Sequence, residues 1–118
     1  MVEPDVREIR PGGIIVVYAG EIVSSALLNA NGGEARERED ARMGYGGNGA
    51  GGSILVKARK VSIGSSRILA TGGTYGPGGD GGVGRIRIEA CSLSGTTNPG
   101  ASTAIGGHNY CGVLAGMI

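Results

Sequence analysis

The chain has 118 residues and a formal net charge of +1 at pH 7, with 26 glycines, four tyrosines and no phenylalanine or tryptophan. This length fits one domain, residues 1–118, and leaves no room for a catalytic domain beside a separate binding domain. The balanced charge excludes the broad positive field of a nucleic-acid-binding surface, and no stretch is apolar for long enough to insert into a membrane. The core must be narrow, because it is built from Ile, Val, Leu and Ala.

The first predicted element is an alternating apolar run, GGIIVVYA at residues 12–19, which recurs twice. The related runs are GGSILVKA at residues 51–58 and VGRIRIEA at residues 83–90, each with isoleucine in the fourth position and alanine in the eighth. A period of two predicts strands with one buried face. Recurrence at this spacing is typical of stacked units that cannot bury their apolar side alone. The predicted repeats cover residues 12–33, 51–73 and 83–105.

Residues between the buried positions of these runs face outward in the prediction, and their polarity rises from the first run to the third. They are Ile14, Val16 and Tyr18, then Ser53, Leu55 and Lys57, then Arg85, Arg87 and Glu89. A strand that is apolar on both faces is normally covered on both sides. We therefore expect the first run to be covered by a further layer, by the C-terminal residues 113–118 or by a partner subunit.

Between the first and second repeats lies a dense run of alternating charges at residues 34–42. The absence of an apolar stripe predicts a solvated loop or a single helical turn. Insertions into repeats emerge together on one face, and such faces often bind ligands. The candidate binding residues are Arg36, Arg38 and Arg42 of this insert, with Tyr45 and Tyr75 of the neighbouring glycine-rich loops. The tyrosine rings either stack on sugar rings or anchor their loops by packing.

More than half of the glycines fall in two connectors, residues 44–52 and 72–84, which lead into the second and third runs. Glycine permits close approach of one backbone to another, so the connectors are either tightly packed extended segments or flexible loops. In the third repeat, residues 98–102 replace the last apolar segment. Such a degenerate copy is typical of a terminal repeat.

Cys91 and Cys111 have neither the spacing of metal ligands nor the number that defines a disulfide framework, so the sequence favours two small thiols over a bridge. A nucleophilic pair with His108 has no orienting partner, and we expect His108 to be a polar turn residue. Asp80 is alone in its glycine loop, which argues against calcium. We predict no metal, no cofactor and no catalytic residue.

The stretch from Gly46 to Ser102 resembles glycine-rich repeat regions of large bacterial secreted or surface proteins. The elements that carry the resemblance are GGNGAGGSILVKARKVSI, ILATGGTYGPGGDGGVGRIRIEA and TTNPGAS. A looser likeness links them to glycine-rich adhesin tips of phage tail fibres. The resemblance implies a β-helix-like passenger module and supplies no catalytic residue.

These observations predict an all-β protein, either a short β-solenoid of β-helix-like form or a glycine-rich β-sandwich, with three repeats. Its expected function is non-enzymatic: a structural or adhesin-like recognition module, with a surface glycan as ligand. Open sheet edges predict a homo-oligomer. Its location is extracellular or on the cell surface if the chain is part of a longer exported protein, and cytoplasmic if it is complete.

Two alternatives remain at this point. The first is a carbohydrate-active enzyme of the β-helix type, in which Lys57, Arg59, Arg85 and Arg87 would form an anion-facing stripe beside Glu89. The simpler interpretation of that stripe is a solvated sheet face. The second alternative is a fragment of a larger surface protein that has no function in isolation.

Overall fold

The computed structural model describes residues 11–23, 25–34, 48–74, 79–107 and 111. Strands dominate this part of the chain, which confirms the all-β class. The six strands are β1 (Ile14–Ile22), β2 (Leu28–Asn29), β3 (Ser53–Ser62), β4 (Ile68–Leu69), β5 (Arg85–Ser94) and β6 (Ser102–Ile105).

The main sheet has the order β1-β3-β5-β6, and all of its neighbouring strands are parallel. The three alternating runs lie side by side in register, with Ile15 beside Ile54 and Ile54 beside Ile86. A smaller parallel sheet pairs β2 with β4, and Asn98 continues it through a bridge to Leu69. Neither sheet is closed, and β1 and β6 are the two edges of the main sheet.

Each long strand joins two apolar segments that the sequence shows as separate. In β3 the residues Ala58 and Val61 are both buried, whereas Arg59 and Lys60 between them are both exposed. Two exposed residues in succession shift the alternation by one position, and the pairing of β3 with both neighbouring strands skips Arg59. The shift keeps the apolar side chains of the strand on the core side.

The core lies between the two sheets and consists of slim aliphatic side chains. Its buried members are Ile22, Ala30, Ile54, Val56, Ala58, Val61, Ile63, Ile68, Ala70, Ile86, Ile88 and Ala90. Val56 and Ile88 are completely inaccessible to solvent. No described side-chain nitrogen or oxygen is buried without a hydrogen-bond partner.

The glycine connectors are ordered where the structure describes them. The amide of Gly52 donates to the Ala30 carbonyl at 2.8 Å, and the amide of Gly84 donates to the Ala70 carbonyl at 2.7 Å. A Cβ atom at Gly52 would overlap the Gly13 carbonyl oxygen, and one at Gly84 would overlap the Gly52 carbonyl oxygen. Only glycine allows this backbone-on-backbone approach. In the described part of the connectors, tight packing is therefore the correct alternative.

The sequence did not predict β6. Its residues Ser102–Ile105 follow the irregular segment 98–101 and pair in parallel with β5, from Arg87 beside Ser102 to Ala90 beside Ile105. The amide of Gly106 then donates to the Ala90 carbonyl at 2.8 Å. The chain thus starts a fourth passage along the main sheet, although no alternating run of the earlier type marks it.

Candidate functional site

The binding residues predicted from the charged insert and its neighbouring loops lie outside the described residues. They are Arg36, Arg38, Arg42, Tyr45 and Tyr75. Of the insert itself only Glu34 is described, and its carboxylate accepts a hydrogen bond from the Thr74 amide at 3.3 Å. The described candidate site therefore lies elsewhere, on the solvent side of the main sheet.

This solvent side, which we call the outer face, consists of alternate residues of β1, β3 and β5 in three rows across the strands. The rows are Ile14–Ser53–Arg85, Val16–Leu55–Arg87 and Tyr18–Lys57–Glu89. The β1 side chains are well exposed, with 81% for Ile14, 52% for Val16 and 70% for Tyr18. No described residue covers them, and the predicted C-terminal cover, residues 113–118, lies outside the described residues.

An open groove of about 680 Å³ crosses the first two rows of the outer face. Ile14, Val16, Leu55 and Val83 give it an apolar floor. Its polar lining comes from Ser53, Ser102, Arg85 and Arg87. The described lining contains no aspartate or glutamate. A groove of this composition suits an extended ligand with apolar surfaces and negative charge.

The third row forms a small ionic network around Glu89. The Glu89 carboxylate lies 3.6 Å from Lys57 Nζ and 3.4 Å from Arg87 Nε, and Arg87 Nη1 donates to Ser102 Oγ at 2.8 Å. Desolvation raises the pKa of Glu89, but the charge of Lys57 and the hydrogen bond and charge of Arg87 outweigh it, so the net pKa is lowered. Glu89 is therefore a carboxylate at neutral pH and fixes the direction of the Arg87 side chain.

Arg85 differs from Arg87, because no described acidic group lies within ion-pairing distance of it. Its register neighbour is Ser53, so no carboxylate faces it across the sheet. The guanidinium is exposed on a rigid strand at the wall of the groove. Arg85 is thus available to an incoming carboxylate or sulfate group.

A second, smaller depression of about 320 Å³ lies beyond the third row, against Tyr18, Lys57 and Arg59. The Lys57 ammonium sits 5.8 Å from the centre of the Tyr18 ring, within cation–π range. A second exposed carboxylate, that of Glu21 in β1, is paired with the Nζ atom of Lys60 at 3.7 Å. Glu21 and Glu89 therefore each have their own lysine, and neither lines a depression together with the other.

The two cysteines form a disulfide between Cys91 and Cys111, so the expectation of two free thiols was wrong. Cys91 follows Ala90 in β5, and Ile105 of β6 lies beside Ala90; the Cα atoms of Cys91 and Cys111 are 5.6 Å apart. Sequence spacing gave no sign of this, because the contact depends on the unpredicted strand β6. With both sulfurs bonded, the Cys–His nucleophile has no thiol, and His108 lies outside the described residues.

The described part of the chain contains no group of three or more His, Cys, Asp and Glu side chains placed to hold a metal ion. It also contains no helix with the length and apolar character needed to span a bilayer. Comparison with protein-family models, with curated proteins and with solved structures finds no match to this chain.

Proposed function

We propose that this protein is a non-enzymatic recognition module that binds an acidic surface glycan on the outer face of a short β-solenoid. The observation that carries the proposal is the groove of the first two rows, which combines an apolar floor with Arg85, to which no described carboxylate is paired, and with Arg87, which is held by Ser102. Sugar rings pack their C–H faces on apolar and aromatic side chains, and guanidinium groups bind carboxylate and sulfate through two parallel hydrogen bonds.

The solenoid part of the proposal is supported by the register of the main sheet. Equivalent positions of the three runs are direct neighbours, and the smaller sheet follows the same order. Equivalent glycine hydrogen bonds recur one passage later, as with Gly52 to Ala30 and Gly84 to Ala70. Parallel strands joined by long crossovers, with the same hydrogen bonds in each passage, are typical of stacked coils.

A binding role is favoured over cleavage by the state of the acidic groups. Glycoside hydrolysis usually needs two carboxyl groups on either side of the scissile bond, one of them protonated to act as the acid. On the outer face Glu89 is held as an anion by Lys57 and Arg87, and Glu21 has its own partner, Lys60. The resemblance of residues 46–102 to secreted and surface repeat regions supports an adhesin-like role. Arg36, Arg38, Arg42, Tyr45 and Tyr75 remain predicted contributors.

The experiment is calorimetric titration of the full chain with polygalacturonate, and with a neutral glucan of similar length. We expect the protein to bind the acidic polymer and not the neutral one. The affinity should fall as salt is added, because the contacts are ionic. Arg85→Gln should raise the Kd about tenfold, as a charged hydrogen bond at an exposed site is worth roughly 1.5 kcal/mol. The matched control is Arg67→Gln, which removes the same charge from an exposed turn before β4.

Two results would contradict the proposal. The first is equal binding of the neutral and acidic polymers, or binding of neither. The second is an equal loss of affinity for Arg67→Gln and Arg85→Gln, which would indicate net charge rather than a site. Release of new reducing ends from the acidic polymer would instead support the alternative of a carbohydrate-active enzyme.

A further inference from the structure

The β1 edge of the main sheet is the most apolar exposed part of the described chain. Seven large apolar side chains of the described residues are exposed, and five of them belong to β1 or the loop that follows it: Ile14, Val16, Tyr18, Val23 and Leu27. Monomeric proteins rarely expose apolar residues in contiguous groups, and such groups mark interaction surfaces. The clustering at one end of the sheet needs an explanation that a solvated face does not give.

The core side of β1 is also incompletely covered. Ile15 and Val17 are only half-buried, whereas their register neighbours Ile54 and Val56 are 2% and 0% exposed. The difference arises because, among the described strands, β3 has a neighbour on each side and β1 has a neighbour on one side. A further strand along β1 would give Ile15 and Val17 the environment that Ile54 and Val56 already have.

Natural sheet edges usually carry a lysine, a proline or a bulge that prevents pairing with another chain. From Ile14 to Gly20 β1 has no charged residue and no proline. From Ile14 to Ala19 each residue of β1 pairs with one residue of β3, and no residue is inserted. In the described part of the chain this stretch of the edge therefore carries none of the usual protection against pairing.

The hydrogen-bond pattern shows which backbone groups this edge offers. The Gly13 carbonyl accepts from the Ser53 amide at 3.0 Å, so Gly13 points its polar groups toward β3. In a parallel ladder successive residues point to opposite sides. The N–H and C=O groups of Ile14, Val16 and Tyr18 are consequently directed at the open edge.

We propose that two copies of this chain associate by antiparallel pairing of their β1 strands. The other edge, β6, has four residues with the polar Ser102 and Thr103, and cannot match nine residues of β1. A second β1 can. Pairing about a twofold axis at Val17 places Val16 opposite Tyr18 of the second copy and Glu21 opposite Gly13, so the apolar rows join and no like charges meet.

The test is sedimentation velocity of the full chain over a wide concentration range, with the variant Val16→Pro. Proline at this position removes one edge donor and leaves the β1–β3 bonds intact. We expect a dimer for the unmodified chain and a dimer Kd raised at least about tenfold for the variant. The matched control is Thr103→Pro, whose backbone groups point to the open edge of β6 by the same alternation. It should remain a dimer.

Amide hydrogen exchange gives a readout that needs no variant. The amides of Ile14, Val16 and Tyr18 should become protected as the protein concentration rises, in step with dimer formation. A monomer at all concentrations would overturn the proposal. So would dissociation by Thr103→Pro instead of Val16→Pro, or a dimer in which these three amides exchange freely.

Discussion

The two sides of the core are held together by different chemistry. On the strand side, Ile54, Val56, Ile86 and Ile88 bury large side chains between the sheets. On the glycine side, Gly52 and Gly84 contribute no side chain, and the backbones are in direct contact through short hydrogen bonds. The strand side depends on burial of apolar area, which tolerates conservative replacement. The glycine side depends on the absence of a Cβ atom, so no other residue can replace these glycines.

The largest effect should come from the glycine side. Gly84→Ala places a methyl group on the Gly52 carbonyl oxygen, and the clash cannot be relieved without moving one connector away from the other. We expect a loss of more than about 4 kcal/mol in the free energy of unfolding, or no folding. The measurement is urea denaturation followed by circular dichroism.

The matched control is Gly82→Ala in the same connector, where a Cβ atom meets nothing within 4 Å. It should be neutral, or stabilising by about 0.5 kcal/mol, because alanine restricts the unfolded chain. If both alanine variants behave alike, the contrast between the two sides of the core is wrong.

A smaller but substantial effect is expected on the strand side. Ile88→Ala removes three carbon atoms from a completely buried position and should destabilise the protein by about 3 kcal/mol. Ile14→Ala, on the exposed side of β1, should change the unfolding free energy of the monomer by no more than about 0.5 kcal/mol. Thermal or chemical unfolding at low protein concentration compares the two variants. Equal losses of unfolding free energy would contradict the assignment of Ile88 to the core and of Ile14 to the exposed face.

The smallest effect should come from the ionic network on the outer face, which supports neither side of the core. The lowered pKa of Glu89 means that the folded state binds its proton less readily than the unfolded chain. The carboxylate thus contributes stability above the ordinary glutamate pKa of about 4.3, and this is lost as the pH falls through the lowered value. As the pH falls from about 5 to about 3, the free energy of unfolding should decrease less for Glu89→Gln than for the unmodified chain.

Salt supplies the control for this comparison, because 1 M NaCl screens exposed charges almost completely. The difference in acid sensitivity between Glu89→Gln and the unmodified chain should then shrink. An unchanged difference in high salt would show that Glu89 acts through packing and not through Lys57 and Arg87.

Much of the strand side follows from the sequence. Alternation at Ile15, Ile54 and Ile86 predicted three strands with a buried row, and it predicted that Ile14 and Arg85 face outward. A side-chain pattern of period two has a direct physical meaning in an extended backbone, so it can be seen without coordinates. The candidate groove is only half predictable, since its residues were identifiable but their assembly around one depression was not.

The remaining features depend on contacts between residues far apart in the chain. Glycine carries no side-chain pattern, so the sequence left the connectors open between tight packing and flexibility. The disulfide of Cys91 with Cys111 follows from the pairing of β6 with β5, and β6 has no alternating run to reveal it. The break in the alternation at Arg59 and Lys60, between the buried Ala58 and Val61, likewise depends on how the strand packs on the core.

The amino-acid order by itself determined that this chain forms strands, which side of each is apolar and where glycine is concentrated, because these are properties of a residue and its near neighbours. Tertiary structure decided that β6 pairs with β5, that Gly52 and Gly84 must lack a side chain, and that no described carboxylate pairs with Arg85. Those outcomes depend on distances between separate passages of the backbone, which no local pattern encodes.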